Sequence, residues 1–235
     1  MLSATGLYAH GVVAGYDHRR PVIDAVDLAV AGGETVGLAG PSGSGKSTLA
    51  RVLALLHRPY SGTLSIDGHL VTGYRHHAAR ALRTRIGVLF QQPRLSVDPR
   101  MTLRRAIAEP LRAARAPDVA ARVRELAELV ALTPDLLDRR PHEVSDGQLQ
   151  RACLARALAL SPGHLICDEM TTMLDASTTA ALVAVIVDYQ QRVGAGVLAI
   201  SHDTVLLDRW ADRVLHLAPT GRLDPATGRD RGERP

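Results

Sequence analysis

Lysine is almost absent from this chain. Of its 28 Lys and Arg residues a single one, Lys46, is lysine. Aromatic residues are scarce at 3%, with one Trp and one Phe. That excludes the interleaved aromatic and basic platform on which single-stranded nucleic acids stack. Cysteine is limited to Cys153 and Cys167, in apolar stretches, at a spacing that matches neither a zinc nor a disulfide framework. Two buried, reduced thiols in a cytosolic setting are expected. No uncharged apolar run approaches the roughly 18 residues of a membrane span. The start, Met1-Leu2-Ser3-Ala4-Thr5-Gly6, lacks the basic region of a secretory signal. Any membrane role is therefore expected to run through a partner, from the cytoplasmic side.

What is present suits one α/β domain with a subdomain: 235 residues, 46% hydrophobic and 22% charged, enough for a sizeable core. The net charge of +4 is spread along the chain as scattered Arg, which reads as solvated surface, and no nucleic-acid partner is expected. The lone lysine is not scattered. It lies in Gly40-Pro41-Ser42-Gly43-Ser44-Gly45-Lys46-Ser47-Thr48, which fits G-x-x-x-x-G-K-[ST]. A loop wrapped tightly round a phosphate chain has room for a compact ammonium on a thin stem, and not for a planar guanidinium. Before the loop, 34–39 is a short apolar run expected as a central strand, and 46–56 is expected as a helix. Loop N–H groups and the positive helix N-terminus would then face the phosphates.

Strands are expected at 7–13 and 27–30, as an antiparallel edge, and at 86–90, 164–168, 196–201 and 213–217. Residues 100–132 have helical periodicity and many Arg, and read as a helical insertion ending near Pro141. Further helices are expected at 145–160, 176–192 and 204–210, the first with Ser145 as N-cap in an Ser-x-x-Gln capping box. From 218 to 235 the composition of Gly, Pro, Arg and Asp reads as a flexible tail. His76-His77 lacks a third ligand and reads as surface.

Four further segments narrow the choice among phosphate-loop proteins. These are Val144-Ser145-Asp146-Gly147-Gln148, Leu165-Ile166-Cys167-Asp168-Glu169 with Leu174-Asp175 after it, Ile200-Ser201-His202-Asp203, and Phe90-Gln91. With the loop, they make the chain resemble the ATPase subunit of an ATP-binding cassette (ABC) transporter from Leu7 to about Leu217. The resemblance implies an α/β phosphate-loop fold of ABC type: a mostly parallel central sheet, an antiparallel β edge and a helical subdomain at about 93–155, within a domain of 1–217. It implies ATP and Mg²⁺ as ligands. Gly40 to Thr48 would hold the nucleotide, with Tyr16 stacked on the adenine. Ser47, Gln91 and Asp168 would hold Mg²⁺, partly through water. Glu169, His202 and Gln91 would form the catalytic set, with Glu169 as general base. Ser145, Asp146, Gly147 and Gln148 would close over the nucleotide of an opposite subunit, which Asp175 would also touch.

Two departures stand out. Asp146 replaces a glycine of the usual Leu-Ser-Gly-Gly-Gln, placing a negative charge beside a phosphate position. Met170 replaces the proline that usually follows the general base. The stretch Phe90 to Thr102, together with Ala108-Glu109-Pro110-Leu111 and Arg140-Pro141-His142-Glu143, is similar to importers of dipeptides, oligopeptides and nickel. That group usually carries a cysteine-clustered C-terminal extension not seen here, so a compact member, or a divergent nickel or metallophore branch, is expected. The implied partners are two permease subunits, a second ABC ATPase (a heterodimer favoured over a homodimer by the altered signature) and a substrate-binding protein. The implied location is the cytoplasmic face of the cell membrane. The alternatives are a regulatory nucleotide-binding subunit, an exporter cassette, and a non-transport ABC ATPase acting on nucleic acid or ribosomes.

Overall fold

Leu7 and Ala9 point inward on one phase of β1 (Gly6–Ala14), and Val12 and Ala14 point inward on the other. The switch is a bulge between Ala9 and Val12, where Gly11 takes a φ of 57°. An extra residue in a strand shifts its period-two pattern by one, so both halves keep an apolar face to the core. β1 pairs antiparallel with β2 (Ile23–Ala31) and with β4 (Ser61–Ile66). β4 turns at Asp67-Gly68, with φ of 50° and 77°, into β5 (His69–Leu70). Two successive positive φ values make the tight hairpin turn that Asp-Gly favours. The result is a four-stranded sheet ordered β2-β1-β4-β5.

The structure is a computed structural model that describes residues 5–170 and 174–224. Its second sheet has the order β6-β7-β8-β3-β9, from β3 (Thr35–Ala39), β6 (Ile86–Leu89), β7 (His164–Asp168), β8 (Gly196–Ile200) and β9 (Arg213–His216). The β7–β8, β8–β3 and β3–β9 pairings are parallel. β3, β7 and β8 are buried at every residue, as expected of parallel strands covered on both faces. This buried continuity is why 34–39, 164–168 and 196–201 were readable as uninterrupted apolar runs. Ile200 pairs with both Leu38 and Asp168, so the C-terminal ends of the three strands stand level.

The two sheets and the helix Lys46–Leu53 share one core containing Leu7, Leu38, Leu49, Leu53, Ile166 and Leu198. All of this belongs to one compact unit, made, among the described residues, of 5–88, 163–169 and 193–224. Asp67 ties its parts together: the carboxylate accepts from the Gly6 N–H, from Arg85 and from the His164 ring. Burial alone would raise its pKa, but the bonds from His164 and Arg85 outweigh it and hold the carboxyl below its usual range. The expected tail begins as a bonded turn, in which the Asp224 N–H donates to the His216 carbonyl and Arg222 reaches Asp24. Residues 225–235 lie outside the described residues.

The second compact unit holds, among the described residues, 89–162, 170 and 174–192 and is helical. Its helices include Leu103–Ala113, Val119–Leu129, Asp146–Leu158 and most of Ala176–Val193. Thr102 caps the first, accepting from the Arg105 N–H at 3.3 Å. Val97, Ala106 and Cys153 pack into a small core. Arg156 donates to the Ser96 carbonyl and to Glu109, anchoring the 93–96 turn to the 146–158 helix. Cys153 and Cys167 are both free and buried; burial raises their thiol pKa to about 11 and about 12.

Candidate active site

The level strand ends of the first unit determine the site. β3 runs into the loop 40–45, β7 ends at Asp168 with Glu169 next, and β8 ends at Ile200 with Ser201 and His202 next. Gly45 has a φ of 105°, and a Cβ there would lie 2.7 Å from Ile23 Cδ1. Only glycine accepts both that backbone and that contact. The loop delivers Lys46, 4% exposed, whose Nζ donates to the Gly40 and Pro41 carbonyls at 2.8 and 3.0 Å. Lys46 thus rests on oxygens of its own loop, an arrangement that phosphate oxygens can replace. The buried Ser44 Oγ has no hydrogen-bond partner among the described residues. An unpaired buried hydroxyl is costly, and an anion in the loop would satisfy it. The loop therefore fits a phosphate chain.

Glu169 faces this ammonium. Its Oε1 lies 3.8 Å from Lys46 Nζ, and its Oε2 lies 3.8 Å from His202 Nδ1. Its φ of 47° is a conformation that costs a non-glycine residue on the order of 1–3 kcal/mol. The Glu169 N–H is bonded to the Ile200 carbonyl at 2.9 Å, which helps hold that geometry. Met170, next in sequence, where proline is usual, is buried at 3% exposure. Ser47 Oγ donates to Asp168 Oδ1 at 3.2 Å. Burial, then the Glu169 charge, push the Asp168 carboxyl pKa up, while the Ser47 bond and the Arg51 and Lys46 charges oppose the rise. A hydroxyl and a carboxylate oxygen are hard donors suited to Mg²⁺.

Tyr16 is 63% exposed. Its hydroxyl accepts from Arg51 at 2.6 Å, and its ring stands 5.2 Å from that of His57. The His57 Nε2 contacts the Gly15 carbonyl at 2.8 Å. Tyr16 is thus steadied at its hydroxyl while a ring face stays available for a purine. Arg51 and His57 went unremarked in the sequence. Arg51 lies on the same helix as Lys46, one turn beyond Ser47, and that spacing is the signal that could have found it.

The remaining predicted residues belong to the second unit. Gln91 follows Phe90, whose carbonyl accepts from Gln150 at 3.4 Å. Ser145 caps its helix in a reciprocal box: its Oγ accepts from the Gln148 N–H at 3.2 Å, and its own N–H donates to Gln148 Oε1 at 3.0 Å. The Ser145 hydroxyl hydrogen is not used in that box and can be donated. A Cβ on Gly147 would lie 3.1 Å from Thr178 Cγ2, so a larger residue there would require that methyl to shift. Asp175 accepts from the Thr178 N–H at 2.8 Å and from the Ser177 and Thr178 hydroxyls, capping the helix Ala176–Val193. The Ser177 bond first, then those of Thr178, drive its pKa far down. Asp175 therefore has a local structural task besides any contact with another subunit. Among the described residues no cluster of three or more His, Cys, Asp or Glu is arranged to hold a metal. His76 and His77 are exposed.

A glycine-wrapped lysine, a hydroxyl–carboxylate pair and a carboxylate at the ends of parallel strands define a phosphate-loop nucleoside triphosphatase. Comparison with known proteins narrows this. The ABC transporter family model matches residues 23–172, and the chain belongs to that family. It is an ATP-binding, ATP-hydrolysing cassette. It is 39% identical to the nickel import ATP-binding protein NikE of Shigella boydii serotype 4 (strain Sb227), over 92% of this chain and 82% of that protein. The corresponding protein of Escherichia coli O6:K15:H31 (strain 536 / UPEC) is 40% identical, over 88% and 79%. Among solved structures it is similar to the dimeric bacterial ABC transporter cassette MJ0796, with a TM-score of 0.83 and 26% identity over 93% of this chain and 96% of that one. It is also similar to an ATP-bound bacterial Atm1-family exporter, with a TM-score of 0.78 and 29% identity over 97% of this chain and 39% of that one.

Proposed function

We propose that this chain binds Mg·ATP on the 40–48 loop and hydrolyses it to drive import of nickel, a metal chelate or a peptide through membrane permeases. The observation that carries the hydrolytic part is Glu169 facing Lys46 and His202 at the strand ends. On binding, Lys46 leaves the Gly40 and Pro41 carbonyls for β- and γ-phosphate oxygens. The loop N–H groups and the Ser44 hydroxyl take the remaining phosphate oxygens. Tyr16 stacks on the adenine. Ser47, and Asp168 through water, would hold Mg²⁺, which would supply positive charge to the phosphate oxygens.

Glu169 accepts a proton from a water whose oxygen attacks the γ-phosphorus, and the bond to the β–γ bridging oxygen breaks. ADP and inorganic phosphate leave. His202, within reach of Glu169, contacts the γ-phosphate and orients that water. Positioning and charge placement of this kind are most of what phosphoryl transfer requires. The Ser145 turn completes the nucleotide site of an opposite ATPase subunit, which contributes its own turn in return.

The import reading is supported by similarity to NikE proteins over most of both chains. No helix among the described residues is long and apolar enough to cross a membrane, which suits a chain that works through permease subunits. The location that follows is the cytoplasmic membrane face, with a substrate-binding protein delivering cargo on the other side. The test is transport by the assembled complex in vesicles, supplied in turn with a nickel chelate and a dipeptide. ATP-dependent uptake of one of them, lost with Lys46→Ala, is expected. Uptake of neither, or uptake indifferent to this chain, would overturn the import reading.

A further inference from the structure

Arg94 sits in the one-turn helix Pro93–Ser96, and its guanidinium meets the segment 141–146, which opens the signature helix Asp146–Leu158, at three points. Nη1 donates to the Pro141 carbonyl at 2.8 Å, Nη2 reaches the Val144 carbonyl at 3.3 Å, and Nε lies 2.8 Å from Asp146 Oδ1. The turn itself is held to the signature helix by Arg156, so Arg94 projects from a fixed base. Both charges are partly exposed, at 47% and 43% of their side chains, and such a pair adds little stability by itself. Its value lies in where it puts charge. A bare carboxylate at the first turn of this helix would repel any anion brought to the helix N-terminus. Paired with Arg94, Asp146 leaves that end with its N–H groups, its dipole and the Ser145 hydroxyl, without net negative charge.

We propose that Arg94 is the positioning residue of the 145–148 turn: it neutralises Asp146 and holds its carboxylate aside, so that Ser145 and the helix N-terminus accept a phosphate. The proposal rests on the reading that this turn faces the nucleotide of an opposite subunit. It converts the departure at residue 146 into half of a compensated pair, the other half lying more than fifty residues earlier in the chain. A planar fork is needed because three acceptors must be met from one side; lysine would supply the charge without the geometry.

The test is steady-state ATP turnover by the assembled transporter against ATP concentration. Arg94→Ala is expected to raise KM about tenfold, the scale of one unbalanced charge near a phosphate, with kcat changed far less. Arg94→Lys should raise it less. Asp146→Gly should lower KM, and Arg94→Ala/Asp146→Gly should return KM to within about threefold of the parent, as pairwise coupling demands. A double variant as impaired as Arg94→Ala would overturn the proposal, because loss of the carbonyl contacts alone would then explain the defect. So would an unchanged KM in Arg94→Ala. Ser145→Phe separates the two levels of failure. If it abolishes turnover while Arg94→Ala leaves KM alone, only the Arg94 proposal fails. If Ser145→Phe leaves turnover intact, the reading of the turn as facing a nucleotide falls, and the proposal with it.

Discussion

Gly45→Ala offers a measure of how strictly the loop geometry constrains this protein. At a φ of 105°, a residue with a Cβ has to adopt a left-handed backbone, which costs roughly 1–2 kcal/mol. The new Cβ would also stand 2.7 Å from Ile23 Cδ1 and 2.9 Å from Val22 Cγ1. Ile23 is fully buried, so the clash has no easy release, and overpacking of this kind costs roughly 1–3 kcal/mol. The expected loss is therefore about 2–5 kcal/mol. Gly43→Ala is the internal control: its φ is 82°, but nothing lies within 4 Å of its Cβ position, so only the backbone cost of about 1–2 kcal/mol applies. Thermal unfolding of both variants, read beside ATP affinity, separates the two contributions. At about 2–4 °C per kcal/mol for a chain of this size, Gly45→Ala should melt well below Gly43→Ala. Equal melting temperatures for the two variants would refute the packing argument, and a Gly45→Ala protein as stable as the parent would refute both parts.

Burial favours the protonated form of Asp168 and raises its carboxyl pKa. A carboxyl whose folded pKa is raised contributes stability below its unfolded pKa and loses it as pH rises through the folded value. Asp168→Asn should therefore raise the melting temperature at neutral pH while abolishing Mg²⁺-dependent turnover; a lower melting temperature would contradict the assignment. For Asp67, whose folded pKa is lowered, the sign reverses: its contribution is present above the unfolded carboxyl pKa and fades as pH falls through the folded value. Asp67→Asn should cost stability at neutral pH and progressively less in acid, as followed by urea unfolding. Cys153 and Cys167, with thiol pKa values of about 11 and about 12, should resist alkylation at neutral pH until the protein unfolds; rapid labelling of the folded chain would count against their burial.

The parts of this molecule that announce themselves in the sequence are those under a single dominant constraint. β3, β7 and β8 are buried along their whole length, so their apolar runs have few competing readings. Ser145 and Gln148 both had to be caps, and are. The interval 57–85 was silent for the opposite reason. β4 carries Ser61, Gly62 and Thr63 at exposed positions, and only Leu64 and Ile66 show the strand period. Its one strong local signal, Asp67-Gly68 between Ile66 and His69, was legible as a hairpin turn and passed unread. The Asp67–Arg85–His164 cluster unites residues far apart in sequence, and no periodicity reports such a meeting. The site divides in the same way. Lys46, Asp168, Glu169 and His202 were legible as motifs, and the first unit brings them to one set of strand ends. Arg94, among so many arginines, had nothing local to mark it, since its partners at 141, 144 and 146 are defined only by the folded helical unit.

The measurement that tests the central claim most directly is a single turnover of γ-labelled ATP by the assembled complex, comparing the parent with Glu169→Gln in a rapid-quench experiment. With Glu169 as the general base, the variant binds ATP but forms phosphate about 10²–10⁴-fold more slowly, leaving the nucleotide trapped and intact. Phosphate formation at the parent rate in Glu169→Gln would contradict the account.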